Sequence, residues 1–185
     1  MKRSSESKVK RLKLERKAKK VKLLILDVDG VMTDGRIIFD NNGNEIKAFH
    51  VRDGHGIKMA QTAGILIAII TGRKSEVVKI RALELGIKDV YQRALNKVDI
   101  YEKLLKMYGM KDEEVAFIGD DINDLPILKM VGFSVAVSDA DTHIRNKVDY
   151  VTEMGGGQGA VREAIDIILK AQGKWEGIKN KLNKF

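Results

Sequence analysis

Leu23-Leu24-Ile25-Leu26-Asp27-Val28-Asp29-Gly30 is the stretch whose reading decides the fold. Four consecutive aliphatic residues leave no polar face, as expected of a strand buried on both sides of a parallel sheet. The run ends in two carboxylates spaced two apart and a glycine. Two later stretches share this form. Ile65–Ile70 leads into Thr71-Gly72-Arg73, and Val115–Ile118 leads into Gly119-Asp120-Asp121-Ile122-Asn123-Asp124. In open α/β sheets ligands bind outside the carboxyl ends of the strands. Three separate strands therefore deliver polar groups to one edge.

Working outward, two strand-like runs flank an Asn/Gly turn, Arg36–Asp40 before Asn41-Asn42-Gly43 and Asn44–Val51 after it, and predict a β-hairpin. Helices are predicted over about 54–63, 75–85, 97–108, 124–130 and 159–171, with glycine stop signals at Gly64, Gly86, Gly109 and Gly132. Pro126, the only proline, falls in the first turn of its helix, where the missing N–H costs little. Further strands are predicted near Val90-Tyr91, at 133–137 and at 148–151. Strand–helix alternation of this kind predicts one doubly wound α/β domain with a parallel sheet and a β-hairpin inserted after the first strand.

Composition sets the limits. A chain of 185 residues suits one domain, and 44% hydrophobic with 32% charged residues is a globular balance. With no cysteine, a disulfide scaffold and a thiolate zinc site are excluded, and three scattered histidines do not suggest a histidine-built metal site. No apolar run is long enough for a membrane span. The net charge of +8 is concentrated at the start, where residues 1–22 hold eleven Lys/Arg against two Glu. The remainder is nearly neutral, so a nucleic-acid partner is not expected. The division read from this is a basic N-terminal arm at 1–20, solvated and partly helical, the domain at 21–171, and a tail at 172–185 that Trp175 could anchor. The arm lacks the apolar core of a signal peptide, which makes the cytoplasm the expected compartment.

The chemistry follows from the strand ends. Asp27 and Asp29, two apart on an extended segment, lean the same way, and Asp120 and Asp121 add charge from another strand end. Such crowding calls for a cation, and oxygen-only ligands favour Mg²⁺. With Thr71, with Lys97 at a helix start and with backbone N–H groups, the site suits a phosphoryl group. One carboxylate could attack phosphorus and form an aspartyl-phosphate, while its neighbour two residues on protonates the leaving oxygen and later activates water.

The set Asp27-Val28-Asp29-Gly30, Thr71, Lys97 and Gly119–Asp124 resembles the four signature motifs of the haloacid dehalogenase (HAD) superfamily over residues 21–171. The resemblance implies a HAD-like, Rossmannoid fold with Asp27 as nucleophile, Asp29 as general acid/base, and Thr71 and Lys97 as phosphate-binding groups. It implies Mg²⁺ held by Asp27, the Asp29 carbonyl and Asp120, with Asp121 or Asp124 in support. An Asp at position 29, where ATPases of the superfamily carry Thr, favours a phosphatase or a mutase.

Only 41 residues separate Asp29 from Thr71, and 22 separate Lys97 from Asp120. No cap domain fits either gap, so the site acts on a macromolecule or borrows cover from another subunit. Ile37, Phe39, Ile46 and Phe49 of the hairpin are available for such an interface. The fuller pattern, with Val31-Met32-Thr33-Asp34-Gly35, Arg52-Asp53-Gly54, Ile70–Arg73 and Gly155–Glu163, resembles the 3-deoxy-D-manno-octulosonate 8-phosphate (KDO 8-phosphate) phosphatase family. That resemblance implies a homotetramer built on the hairpins, a sugar-acid phosphate substrate on the route to lipopolysaccharide, and cover from a neighbour's C-terminal segment. Arg73 is a candidate for the sugar carboxylate. Gly155, Gly156 and Gly157 are candidates for close approach to substrate or a neighbouring site. Arg52, Arg81 and His55 are weaker candidates. The alternatives are a phosphatase for a nine-carbon sialic-acid-type phosphate, from whose pattern Arg73 departs, and an adaptor using the basic arm, which would not need the full set of acids.

Overall fold

The computed structural model describes residues 2–182. The four aliphatic residues that open the domain form β1 (Leu23–Leu26), and every one is buried. β1 pairs in parallel with β4 (Leu66–Ile70) on one side and β6 (Val115–Gly119) on the other. β5 (Asp89–Tyr91) extends the sheet beyond β4, while β7 (Phe133–Ala136) and β8 (Tyr150–Val151) extend it beyond β6. The order β5-β4-β1-β6-β7-β8 reverses direction between β1 and β6, which makes that crevice the topological switch point. Alternate side chains of β1, β6 and β7 are buried alike, so both faces of the sheet are covered.

The covering helices follow apolar spacing. α7 (Ala160–Ala171) buries Val161, Ala164, Ile165, Ile168 and Leu169, a repeat of three and four residues. It packs on α2 (Val51–Thr62), whereas α4 (Lys97–Tyr108) packs with α5 (Leu125–Met130). α3 (Glu76–Leu85) starts at Ser75, whose hydroxyl accepts the Val78 N–H at 3.2 Å.

Three parts differ from the sequence reading. The hairpin has only two-residue strands, β2 (Ile38–Phe39) and β3 (Glu45–Ile46). Ile37, Ile38, Phe39 and Ile46 are exposed, but Phe49 packs against the core under Arg81, so it is not part of an open hairpin face. Two short helices lie outside that reading, α6 (Thr142–Arg145) and α8 (Trp175–Leu182). The basic arm is also not simply solvated. It forms α1 (Lys2–Ala18), whose last turns lie on α7, with Ala18 buried and Lys17 Nζ 2.5 Å from Asp149 Oδ1. The chain after α7 is tied in as well. Gln172 donates to the Val21 carbonyl at 2.7 Å, and the Trp175 ring carries both the Arg162 guanidinium and the Lys170 ammonium within about 6 Å of its centre. Among the described residues, no helix is long and apolar enough to cross a membrane. The insert between β1 and β4 holds the hairpin and α2 alone, which leaves no cap domain.

Candidate active site

Parallel pairing brings the ends of β1, β4 and β6 to one edge, and the residues next in sequence are Asp27, Thr71 and Asp120. The Asp27 N–H donates to the Ile118 carbonyl at 3.1 Å, so the β1–β6 ladder continues to the start of the site. Asp27 and Thr71 are buried. After Asp120 the chain tightens into a 3₁₀ turn, Ile122–Asp124, that swings Asp124 back beneath it. Asp124 is fully buried, and its Oδ2 accepts the N–H groups of Asp120 (3.0 Å) and Asp121 (3.4 Å).

Carboxylate oxygens of Asp27, Asp120 and Asp124 all lie within 4.8 Å of one another. Lys97, at the first turn of α4, reaches them from below, with Nζ 2.6 Å from Asp124 Oδ1 and 2.9 Å from Asp27 Oδ1. Three carboxylates against one ammonium leave an excess of negative charge. Burial, reinforced by the neighbouring Asp124 carboxylate, holds Asp27 above the usual carboxylate range. Burial and then Asp27 and Asp124 do the same to Asp120. For Lys97 burial acts downward, but the two carboxylates beside it outweigh that and raise its pKa. Asp120 Oδ1 is buried without a hydrogen-bond partner, and Asp27 Oδ1 is met by the Lys97 ammonium. A buried acceptor with no donor, in an all-oxygen cluster of excess negative charge, fits a hard divalent cation such as Mg²⁺.

Asp29 stands apart from that cluster. Its Oδ1 is ion-paired with Lys47, and its Oδ2 lies 3.7 Å from Arg73 Nε. Arg73 also pairs with Glu45 at 3.3 Å, so in this chain the guanidinium faces two of its own carboxylates. Asp121, expected as a support for the metal, is turned outward. It is exposed, and its Oδ1 accepts the Ile122 N–H at 2.7 Å to cap the 3₁₀ turn. Of the two supporting acids, Asp124 is the one that reaches the cluster.

The glycine run has a different explanation from the one expected. A Cβ on Gly156 would lie 1.8 Å from the Gly30 carbonyl oxygen, and one on Gly157 would lie 2.6 Å from the Thr33 carbonyl carbon. Gly157 donates to the Val31 carbonyl at 3.0 Å, and Gly156 to Asp139 Oδ1 at 2.9 Å. A Cβ on Gly155 would touch the Asp139 carboxylate. Gly156 and Gly157 clamp the chain's own loop after β1, and close approach at all three positions accounts for the absence of side chains. Arg52 and His55 point to solvent from α2, and Arg81 is committed to Glu84.

Two side chains of the site escaped the sequence reading, Glu45 and Lys47. They flank Ile46, so the two-residue alternation of the hairpin turns both toward Asp29 while Ile46 faces out. That alternation was the available signal.

The family described as haloacid dehalogenase-like hydrolase matches residues 75–165. The chain is 50% identical over 163 residues to 3-deoxy-D-manno-octulosonate 8-phosphate phosphatase KdsC of Escherichia coli K12, covering 88% of this chain and 87% of the relative. It superposes on the crystal structure of the Yersinia pestis phosphatase of that name with a TM-score of 0.88 at 48% identity, covering 89% of each chain. A Moraxella catarrhalis phosphatase of the same name, solved with magnesium ion, phosphate ion and KDO, gives a TM-score of 0.89 at 41% identity. That match covers 91% of this chain and 97% of the other. Likeness of this extent, spanning both the catalytic edge and the capless insert, makes the chain a member of the KDO 8-phosphate phosphatase family of haloacid dehalogenase-like hydrolases.

Proposed function

We propose that this chain hydrolyses the phosphate monoester of KDO 8-phosphate, giving KDO and phosphate, with Mg²⁺ as cofactor. The observation that carries the reading is the convergence of Asp27, Asp120, Asp124 and Lys97 at the sheet's switch point. Mg²⁺ would be held by Asp27, Asp120 and the Asp29 carbonyl, with Asp124 supporting. When bound, it supplies positive charge that offsets the carboxylates and the phosphoryl oxygens.

The residues then divide the work. Thr71 and Lys97 bind phosphoryl oxygens and aim phosphorus at Asp27. An Asp27 oxygen bonds to phosphorus as the bond from phosphorus to the sugar oxygen breaks, and the Asp29 carboxyl gives its proton to that leaving oxygen. Asp29, now ionised, takes a proton from water as the water oxygen attacks phosphorus and the bond to Asp27 breaks. Phosphate leaves, and both aspartates return to their starting states.

The test is phosphate release over a panel of sugar phosphates, with Mg²⁺ and with excess chelator. KDO 8-phosphate should give the highest kcat/KM, and chelator should abolish turnover. A preference for a nine-carbon sialic-acid-type phosphate would overturn the substrate assignment. The metal site has its own readout. Mg²⁺ at 100 times its Kd should stabilise the protein by about 2.7 kcal/mol through linkage, seen as a rise in Tm. Asp120→Asn should lose most of that rise.

We also propose that the protein is a homotetramer joined through the hairpin and working in the cytoplasm. The support is the apolar group Ile37, Ile38, Phe39 and Ile46, exposed on one short insert. Light scattering should give four times the 20.7 kDa chain mass, and Phe39→Asp should shift the population to smaller species. A monomeric wild type with full activity would remove the assembly.

A further inference from the structure

We propose that Lys47 is a positioning residue of the hydrolysis, one that holds the Asp29 carboxyl in place through a ring of alternating charges supplied by the hairpin. Lys47 lies just past β3, in a segment expected only to form an interface. Yet its side chain is 1% exposed, against 20% for Asp29 and 14% for Glu45. A lysine so well covered is unusual unless paired. Here its ammonium is ion-paired with Asp29 Oδ1 and lies 3.4 Å from Glu45 Oε1. Arg73 closes the ring on the other side, 3.7 Å from Asp29 Oδ2 and 3.3 Å from Glu45 Oε1. Each carboxylate thus faces both cations, and each cation faces both carboxylates.

The two cations differ in freedom. Arg73 is 42% exposed, and its contact with Asp29 is long, so it can swing toward a ligand at little cost. Lys47 is enclosed and cannot. A part-exposed carboxyl on a loop has several rotamers, and proton transfer in both halves of the reaction needs one of them. The Lys47 contact selects that rotamer, and Glu45 keeps Lys47 from following Asp29 into the phosphoryl site. The hairpin therefore completes the acid/base apparatus as well as presenting an apolar surface.

This inference rests on the phosphatase reading, and the test separates the two. Wild type, Lys47→Met and Lys47→Arg are compared on KDO 8-phosphate and on p-nitrophenyl phosphate, whose leaving group needs no protonation. Lys47→Met should lower kcat on KDO 8-phosphate about 100-fold, the scale of a misplaced catalytic group, with KM changed less than threefold. Lys47→Arg should recover at least a tenth of wild-type kcat. With p-nitrophenyl phosphate, Lys47→Met should still release its first equivalent of p-nitrophenolate rapidly, and only later turnovers should slow. Absence of wild-type turnover on either ester would defeat the phosphatase reading itself. An active wild type with Lys47→Met at equal kcat, or with the loss confined to KM, would overturn the positioning role alone. Melting curves identify a variant that has merely unfolded, in which case Glu45→Gln, which loosens the same ring from the far side, must show the kcat loss for the inference to stand.

Discussion

Replacing Asp27 by Asn is expected to abolish phosphate release while leaving the protein folded. The amide matches the carboxylate in size, so the end of β1 keeps its packing and the backbone N–H at position 27 keeps its bond to the Ile118 carbonyl. What is lost is the proposed nucleophile. Removing a covalent nucleophile costs on the order of 10⁴–10⁶ in kcat in well-studied hydrolases, and a fall of at least about 10⁴ is expected here. Stability should move the other way when Mg²⁺ is absent. Burial and Asp124 both disfavour the charged form of Asp27, and a neutral amide relieves that repulsion. The metal-free Asp27→Asn variant should therefore melt at or above the wild-type temperature. Phosphate release assays and melting curves in chelator check both halves, and a variant that turns over at a tenth of the wild-type rate would exclude Asp27 as the attacking group.

Gly156→Ala should be the most damaging conservative change outside the cluster. Its new methyl would lie 1.8 Å from the Gly30 carbonyl oxygen, a backbone atom that no rotamer change can move aside. The loop after β1 must shift, and Gly30 is packed so tightly on the acids that a Cβ of its own would sit 2.1 Å from Asp120 Oδ2. Overpacking of this kind costs roughly 1–3 kcal/mol, and displacement of the site by an ångström costs about 100-fold in kcat. Urea denaturation and steady-state kinetics read the two effects. Gly177→Ala, in α8 with nothing near its Cβ position, serves as the comparison and should be neutral or slightly stabilising. Equal kcat for Gly156→Ala and wild type would show that the clamp does not transmit to the site.

The central strand and its acids were legible in the sequence because an unbroken aliphatic run has a single physical reading. Leu23–Leu26 can only be enclosed, and a parallel sheet dictates which edge follows it. The choice between Asp121 and Asp124 was not legible. Both lie in one acidic run, and a 3₁₀ turn, not an α-helical start, decides which carboxylate points inward. Lys47 was hidden for another reason. On a hairpin that lies outside the main sheet, charged residues look like a solvated face, and only the fold shows that Asp29 waits beneath. The glycine run misled because its partner, the loop at Gly30–Asp34, is more than a hundred residues away in the chain. Close approach was expected, but its target depended on the three-dimensional path. The docking of α1 was obscured by charge, since its many lysines outweigh the few apolar side chains, Leu14 and Ala18, that face the body.

The position of β1 at the middle of the sheet also governs when this enzyme can first work during its own synthesis. β1 leaves the ribosome early, but its two neighbours begin only at Leu66 and Val115, and the clamp on its loop arrives with Gly156. Pairings so distant along the chain form slowly and late. A growing chain thus holds Asp27 without Asp120, Asp124 or the Gly156 clamp until the greater part of the domain has been made, and the site can be assembled only near the end of synthesis.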